Sequence, residues 1–248
     1  MEMLSSGKRI NKAADDAAGM AMASKMESEI VGSRQAQRNA QDGVSLVQTA
    51  EGSLNEVSSL LTRMRELSVQ AASGILSKED RSYVQIEFEQ LSNEVDRISQ
   101  STNFNGAQLI NGEANPDNLS FQVGTRADNI IEFDASKINA TTDGLGIDGS
   151  SVSSISNARD AIEELDGALS KVNKHRAGLG SMQRRLESAV SNLDSSIINK
   201  EAAKSRIMDA DVAKVSADLA IANIKASSGM SVLAQANTAP KNAQKLIG

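Results

Sequence analysis

Residues 155–197 read ISNARDAIEELDGALSKVNKHRAGLGSMQRRLESAVSNLDSSI, and two columns of seven-residue spacing run through them. One column is Ala158, Leu165, Val172, Leu179, Leu186 and Leu193; the other is Ile155, Ile162, Leu169, Arg176, Gln183, Val190 and Ile197. A residue type repeated every seven positions returns to nearly the same side of an α-helix, so adjacent columns form a seam that other helices must cover. A helix from Ser154 to Lys200 would run about 70 Å at 1.5 Å per residue. Arg176 and Gln183 put polar groups in the second column, where they either lie at the edge of the seam or fix its register.

The same pattern recurs upstream. Val47, Ala50, Leu54, Val57, Leu61 and Met64 follow in steps of three and four, inside a helix predicted from Ala13 to about Ala72. Gly32, Gly43 and Gly52 fall within it; each costs about 1 kcal/mol against alanine, and they mark close helix contacts or a break near Gly32. Ser73-Gly74 ends this helix. Ser77 is the expected N-cap of the next, with Glu79 and Asp80 favouring the positive helix end. That helix runs to about Gln100 on the seam Val84, Phe88, Leu91, Val95 and Ile98.

Residues 101–150 change character. Asn105-Gly106 and Asn111-Gly112 are turn dipeptides. Leu119, Phe121 and Val123, then Ile131 and Phe133, alternate with polar residues on either side of Gly124–Asp128, which predicts a β-hairpin. Asp143–Ser150 reads as a loop, without the Gly-Lys-Ser/Thr of a phosphate-binding loop. Pro116 falls in a turn. Beyond Glu201 the helix is expected to continue on a weaker seam, Met208, Val212, Val215 and Leu219, until Pro240 stops it. The fold class is therefore mainly α: an elongated rod of long antiparallel coiled-coil helices with one small β-hairpin element.

Composition agrees and removes several functions. Of 248 residues, 40% are hydrophobic but only 2% aromatic, with two prolines, so the core is built from aliphatic side chains along helices. The absence of Cys excludes disulfides and a thiolate nucleophile. The single histidine, His175, excludes a multi-histidine metal site within one chain. A net charge of -6 speaks against nucleic acid. No apolar run approaches the roughly 20 residues of a membrane helix, and Met1–Lys8 has no apolar signal-peptide core. The carboxylate pairs Asp15-Asp16, Glu163-Glu164 and Asp209/Asp211 read as solvated helix faces. His175, beside Lys174 and Arg176, reads as a surface residue of a basic patch. Met20, Met22 and Met26 read as core filling rather than an adaptable binding patch. No enzyme, cofactor or metal is expected. Residues alone describe a structural or interaction rod and do not say what it binds.

Particular strings then carry a resemblance. Leu4-Ser5-Ser6-Gly7-Lys8-Arg9-Ile10-Asn11 with Ala14–Gly19 resembles the N-terminal region of bacterial flagellins, as do Arg38–Gly43 with Gln48–Gly52, Met64–Ala71, and Thr102–Gly106. Ser205–Asp211 and Ser231–Asn237 resemble the C-terminal blocks, and all stand in family order. The resemblance implies an extracellular subunit of the bacterial flagellar filament, exported through the flagellum's own channel and polymerising with copies of itself. Its implied partners are an export chaperone, the filament cap and junction proteins, and a Toll-like receptor of animal innate immunity. It implies an inner coiled coil of terminal helices, here residues 1–12 and 208–248, lining the filament channel, and an outer rod of residues 13–207. A further helical stretch precedes Leu4 in the family. The variable outer domains are expected to be absent, because the hairpin region runs directly into Ser154. Carried over residue by residue, the receptor contacts are Arg63, Leu67 and Glu87. Arg63 and Leu67 are four apart and so share a helix face. Filament assembly is expected to use Val212, Val215, Leu219, Leu233, Gln235 and Asn237. The alternatives are a hook–filament junction protein and a generic coiled-coil adaptor.

Overall fold

The computed structural model describes residues 1–113 and 119–247, with side chains to Asn237; the turn expected at Pro116 lies outside the described residues. The elements are helices α1 (Glu2–Ser6), α2 (Ala17–Ala71) and α3 (Lys78–Ser101), strands β1 (Asn103–Phe104), β2 (Ala107–Gln108), β3 (Leu119–Gln122) and β4 (Ile130–Phe133), then helices α4 (Thr142–Leu145), α5 (Ile155–Met208) and α6 (Val212–Ile247). They form two compact units, Gly32–Ser196 and Met1–Val31 with the chain from Ile197 onward.

In the Gly32–Ser196 unit the seams become the core. Val47, Ala50, Leu54, Val57, Leu61 and Met64 are fully buried, as are Ala158, Leu165, Val172, Leu179 and Leu186. Leu193 and the second column around Leu169, Arg176 and Gln183 are only half-buried, so the polar residues lie at the seam's edge. Arg65 of α2 meets Asp166 of α5 at 2.7 Å, and a Cβ placed on Gly43 would stand 3.2 Å from Leu186. Rising numbers on α2 therefore face falling numbers on α5, and the pair is antiparallel. α3 is antiparallel to α2 by the same logic, since Arg81 Nε donates to the Ala71 carbonyl at 2.9 Å while Glu87 meets Arg63.

Local chemistry sets the helix ends. Ser77 caps α3 by accepting the Asp80 N–H at 3.1 Å, and Asp80 returns a bond to the Ser77 N–H, closing a capping box. Buried Arg81 closes the preceding turn with further bonds to the carbonyls of Ser73 and Leu76.

Gly32 and Gly43 break nothing; they admit the hairpin. A Cβ on Gly32 would approach Thr125, and one on Gly43 would approach Phe121, each to 3.1 Å. The expected hairpin forms, with Leu119 opposite Phe133 and Phe121 opposite Ile131. A second antiparallel pair, β1 with β2, turns at Asn105-Gly106 with φ of 51° and 83°. Positive φ at both turn residues is the two-residue hairpin geometry that Asn-Gly favours. The expected Asp143–Ser150 loop begins inside helix α4, whose first N–H and hydroxyl, both of Thr142, donate to Asp96 at 2.8 Å.

In the other unit Ile10, Ala23, Ile30 and Ile197 are buried. Helix α2 starts at Ala17 rather than Ala13. The Asp16 carboxylate accepts the Gly19 N–H at 2.9 Å, and the Asp15 carboxylate accepts the N–H groups of Asn11 and Lys12 at 3.0 Å. This acidic pair caps a turn and is not a solvated helix face. Met22 is exposed, so core filling does not describe it.

The C-terminal helix is also interrupted. Lys8 pairs with Asp209 as an isolated antiparallel bridge. The Arg9 N–H donates to the Met208 carbonyl at 2.6 Å, and the Ala210 N–H to the Gly7 carbonyl at 2.9 Å. The Arg9 guanidinium caps the Ile207 carbonyl at 2.6 Å. Thus α5 ends at Met208, and Asp211 starts α6 by accepting the Lys214 N–H. Helix α6 then passes Pro240 to Ile247, so the stop expected at that proline does not occur. A proline removes a single backbone donor, and the hydrogen bonds of the turns on either side can carry a helix past it.

The Asp15 turn makes a pH prediction. Bonds from the Lys12 N–H, then the Asn11 N–H, hold its carboxyl below the ordinary aspartate value. The charged form is favoured in the fold, so this stabilisation is present above the unfolded pKa and is lost as pH falls through the lowered folded value. Amide resonances of Asn11 and Lys12 should therefore hold constant through the ordinary aspartate range and shift only at pH values below it. In Asp15→Asn that titration should vanish; its persistence would refute the assignment.

Candidate functional site

Helix α2 presents Arg63 beside α3. Its Nε and Nη2 donate to Glu87 Oε1 at 3.0 and 2.8 Å, and Nη1 to Glu66 Oε2 at 3.0 Å. The side chains of Arg63 and Glu87 are 50% and 46% exposed. Two carboxylates push the guanidinium further up its already high range, Glu87 first and then Glu66. The structure thus brings Arg63 and Glu87 into contact on the surface.

Leu67 is placed differently. It is 1% exposed and belongs to the core with Met64 and Ala71. The expectation that it stands outward beside Arg63 as an apolar anchor is corrected. The seam in alternating steps of three and four runs on from Met64 to Ser68 and Ala71, and Leu67, one position beside it, is buried as well, so the covered face is wider here than the seam alone.

Helix α6 offers a different surface in its own unit. Val215 and Leu219 are half-buried, whereas Val212, Leu233, Gln235 and Asn237 are exposed. Ile221, Ile224, Met230 and Val232 are exposed as well, with Ile224 at 66% and Leu233 at 64%. Large side chains exposed along one helix mark an interaction surface more often than a solvent face.

A cavity of about 730 Å³ opens in the Gly32–Ser196 unit between β4, the 3₁₀ turn Ala135–Lys137 and α5. Phe133, Ile138, Leu179 and Met182 line it with apolar surface, and Lys171, Lys174 and His175 come from α5. His175 is therefore a half-buried cavity residue. Partial burial, then Lys174 and Lys171, lower its pKa from the ordinary value. Lys171 also donates to the carbonyls of Leu145 and Gly144 at 2.7 and 3.2 Å, tying down the end of α4. Sequence reasoning missed this cavity, Arg81 and Arg9. The His175 cluster was legible as charge, but part of its apolar floor, Phe133 and Ile138, comes from a distant strand and the turn after it.

Among the described residues no three His, Cys, Asp or Glu side chains gather to hold a metal ion, and no helix is long and apolar enough to cross a membrane. Long seamed helices, a hairpin laid on their glycines and an uncovered apolar terminal helix define a structural helical protein whose chemistry is contact. The bacterial flagellin N-terminal helical region matches residues 1–115, and the bacterial flagellin C-terminal helical region matches residues 162–247. The chain is 42% identical over 247 residues to a flagellin of Halalkalibacterium halodurans, covering 100% of this chain and 90% of that one. It is 41% identical over 279 residues to a flagellin of Bacillus subtilis, covering 100% and 91%. The crystal structure of Bacillus cereus flagellin superposes with a TM-score of 0.57 at 33% identity, covering 63% of this chain and 88% of that one. A flagellar hook-associated protein of Vibrio parahaemolyticus superposes with a TM-score of 0.64 over 79% of this chain and 100% of its own, at 14% identity, which shows a shared fold alone. The chain belongs to the bacterial flagellins, the structural subunits of the extracellular flagellar filament.

Proposed function

We propose that this chain polymerises with copies of itself through its terminal segments, after export through the flagellum's own channel with the help of an export chaperone, to form a filament between junction and cap proteins. The observation that carries this reading is the uncovered apolar surface of α6, from Val212 through Leu233. Exposing such side chains to water is unfavourable by about 25 cal/mol per Å² of apolar area, and a neighbouring copy would relieve it. Electron microscopy of negatively stained, concentrated protein tests the reading: filaments support it, and persistent monomers at every concentration reject it. The hook–filament junction reading has only a shared fold behind it, whereas the flagellin reading has whole-chain identity.

We further propose that the monomer is recognised by a Toll-like receptor of animal innate immunity through Arg63 and Glu87. In support, both are half-exposed, and the guanidinium fork suits carboxylate or carbonyl acceptors. Arg63→Ala should weaken receptor binding by about 1–3 kcal/mol without loss of helicity. Leu67→Ala should instead lower stability by about 2–5 kcal/mol, as for any emptied core site. Surface plasmon resonance and thermal melts read the two effects separately, and unchanged receptor affinity in Arg63→Ala would reject the recognition surface.

A further inference from the structure

The cavity over α5 is not accounted for by the packing of this chain. Gly178 lines it, and a Cβ built on that glycine meets no atom within 4 Å. The residue weakens its helix without making room for any contact inside the molecule. The floor is apolar, with Phe133, Ile138 and Leu179 buried. The α5 wall carries Lys171, Lys174 and His175; on the opposite wall Glu132 stands beside the Lys137–Asp134 ion pair.

The same unit carries a complementary surface elsewhere. On α3, Tyr83 is 70% and Ile86 52% exposed. Glu79, Tyr83, Ile86 and Glu87 are spaced by four, three and one, so they share one stripe of the helix. That stripe is apolar at its centre and acidic at both ends, whereas the cavity is apolar at its floor and cationic on its α5 wall.

We propose that Tyr83 and Ile86 of one copy enter the cavity beside Gly178 of a second copy, with Glu79 turned toward Lys174, while Glu87 stays with Arg63 and Lys171 with the carbonyls that it holds. Donor and acceptor are different surfaces, so the contact is heterologous. Each added copy presents a new stripe and a new cavity, which is the geometry that generates an open filament where the rotation does not close a ring. The inference rests on the self-assembly reading above and names the surfaces that would carry it. It also places Glu87, and with it the Arg63 pair, inside the contact, so the polymer would hide the candidate receptor surface.

The chain contains no cysteine, so Gly178→Cys and Tyr83→Cys each introduce a unique thiol at an accessible position. The two variants are mixed in equal amounts at the highest concentration at which the unmodified chain is inspected by microscopy, then oxidised with copper phenanthroline. Mixed disulfide dimers should exceed like-with-like dimers by about tenfold, equivalent to about 1.4 kcal/mol of preference. Mixed and like dimers in random proportion would overturn the proposed contact while filaments of the unmodified chain left the assembly reading standing. Preferential mixed dimers without any filaments would keep the contact and remove the polymer. Circular dichroism of each variant confirms that both copies are folded.

Discussion

Leu61→Asp is expected to unfold the Gly32–Ser196 unit. Leu61 lies fully buried in the α2 seam, among core residues contributed by α3 and α5. Its burial contributes about 1.5–3 kcal/mol, and that is lost. An aspartate there must be ionised without a partner, at several kcal/mol, or be protonated at a similar cost. The sum approaches the roughly 5–15 kcal/mol that holds a whole domain together. Leu61→Ala removes only the first contribution and adds a cavity, so about 2–5 kcal/mol is expected. Leu179→Asp should be milder than Leu61→Asp, although Leu179 is also buried. Its side chain borders the cavity, where Lys171 and Lys174 can face the new carboxylate. Urea titration followed by helical circular dichroism would rank the three. A wild-type midpoint in Leu61→Asp would show that the seam does not hold this unit.

The second large effect concerns α6. Amides from Val212 to Asn237 should exchange rapidly in dilute monomer, because most of the large apolar side chains of this helix face water and isolated helices are weak. The start of the helix is better held, since Val215 and Leu219 are half-buried and α1 packs against α6. On polymerisation the exchange of Ile221–Leu233 should slow by about two orders of magnitude, the effect of roughly 2.7 kcal/mol of mass-action stabilisation. Slow exchange throughout α6 in the monomer would remove the uncovered surface as the basis of assembly.

Much of this was legible in the chain itself. Heptad columns fixed α5 and the buried face of α2, because a seven-residue repeat on a helix permits only one face to be covered. Alternation around Gly124–Asp128 predicted the hairpin of β3 and β4, and the structure supplied its register. The Asn105-Gly106 turn was visible, but the strands it joins are only two residues long and leave no alternation to detect. Leu67 was named by the family resemblance, and its four-residue spacing to Arg63 agreed with an outward face; the seam beyond Met64 leads to Ser68 and leaves Leu67 beside it, where packing decides. Spacing alone says that two residues share a face; packing says which way that face points.

What the sequence by itself determined was the helical periodicity, the hairpin, the cap at Ser77 and, through its ordered family strings, the flagellin assignment. Tertiary structure alone decided the rest. The break between α5 and α6 exists because Gly7–Arg9, some two hundred residues away, bonds to the backbone of Met208–Ala210. The cavity lies between β4, the turn after it and α5, which are some forty residues apart in the chain. The Arg63–Glu87 pair joins two helices across a turn. Each of these is a contact between segments with no periodic relation, and local pattern carries no signal for it: the free energy of such a contact appears only when folding brings the partners together.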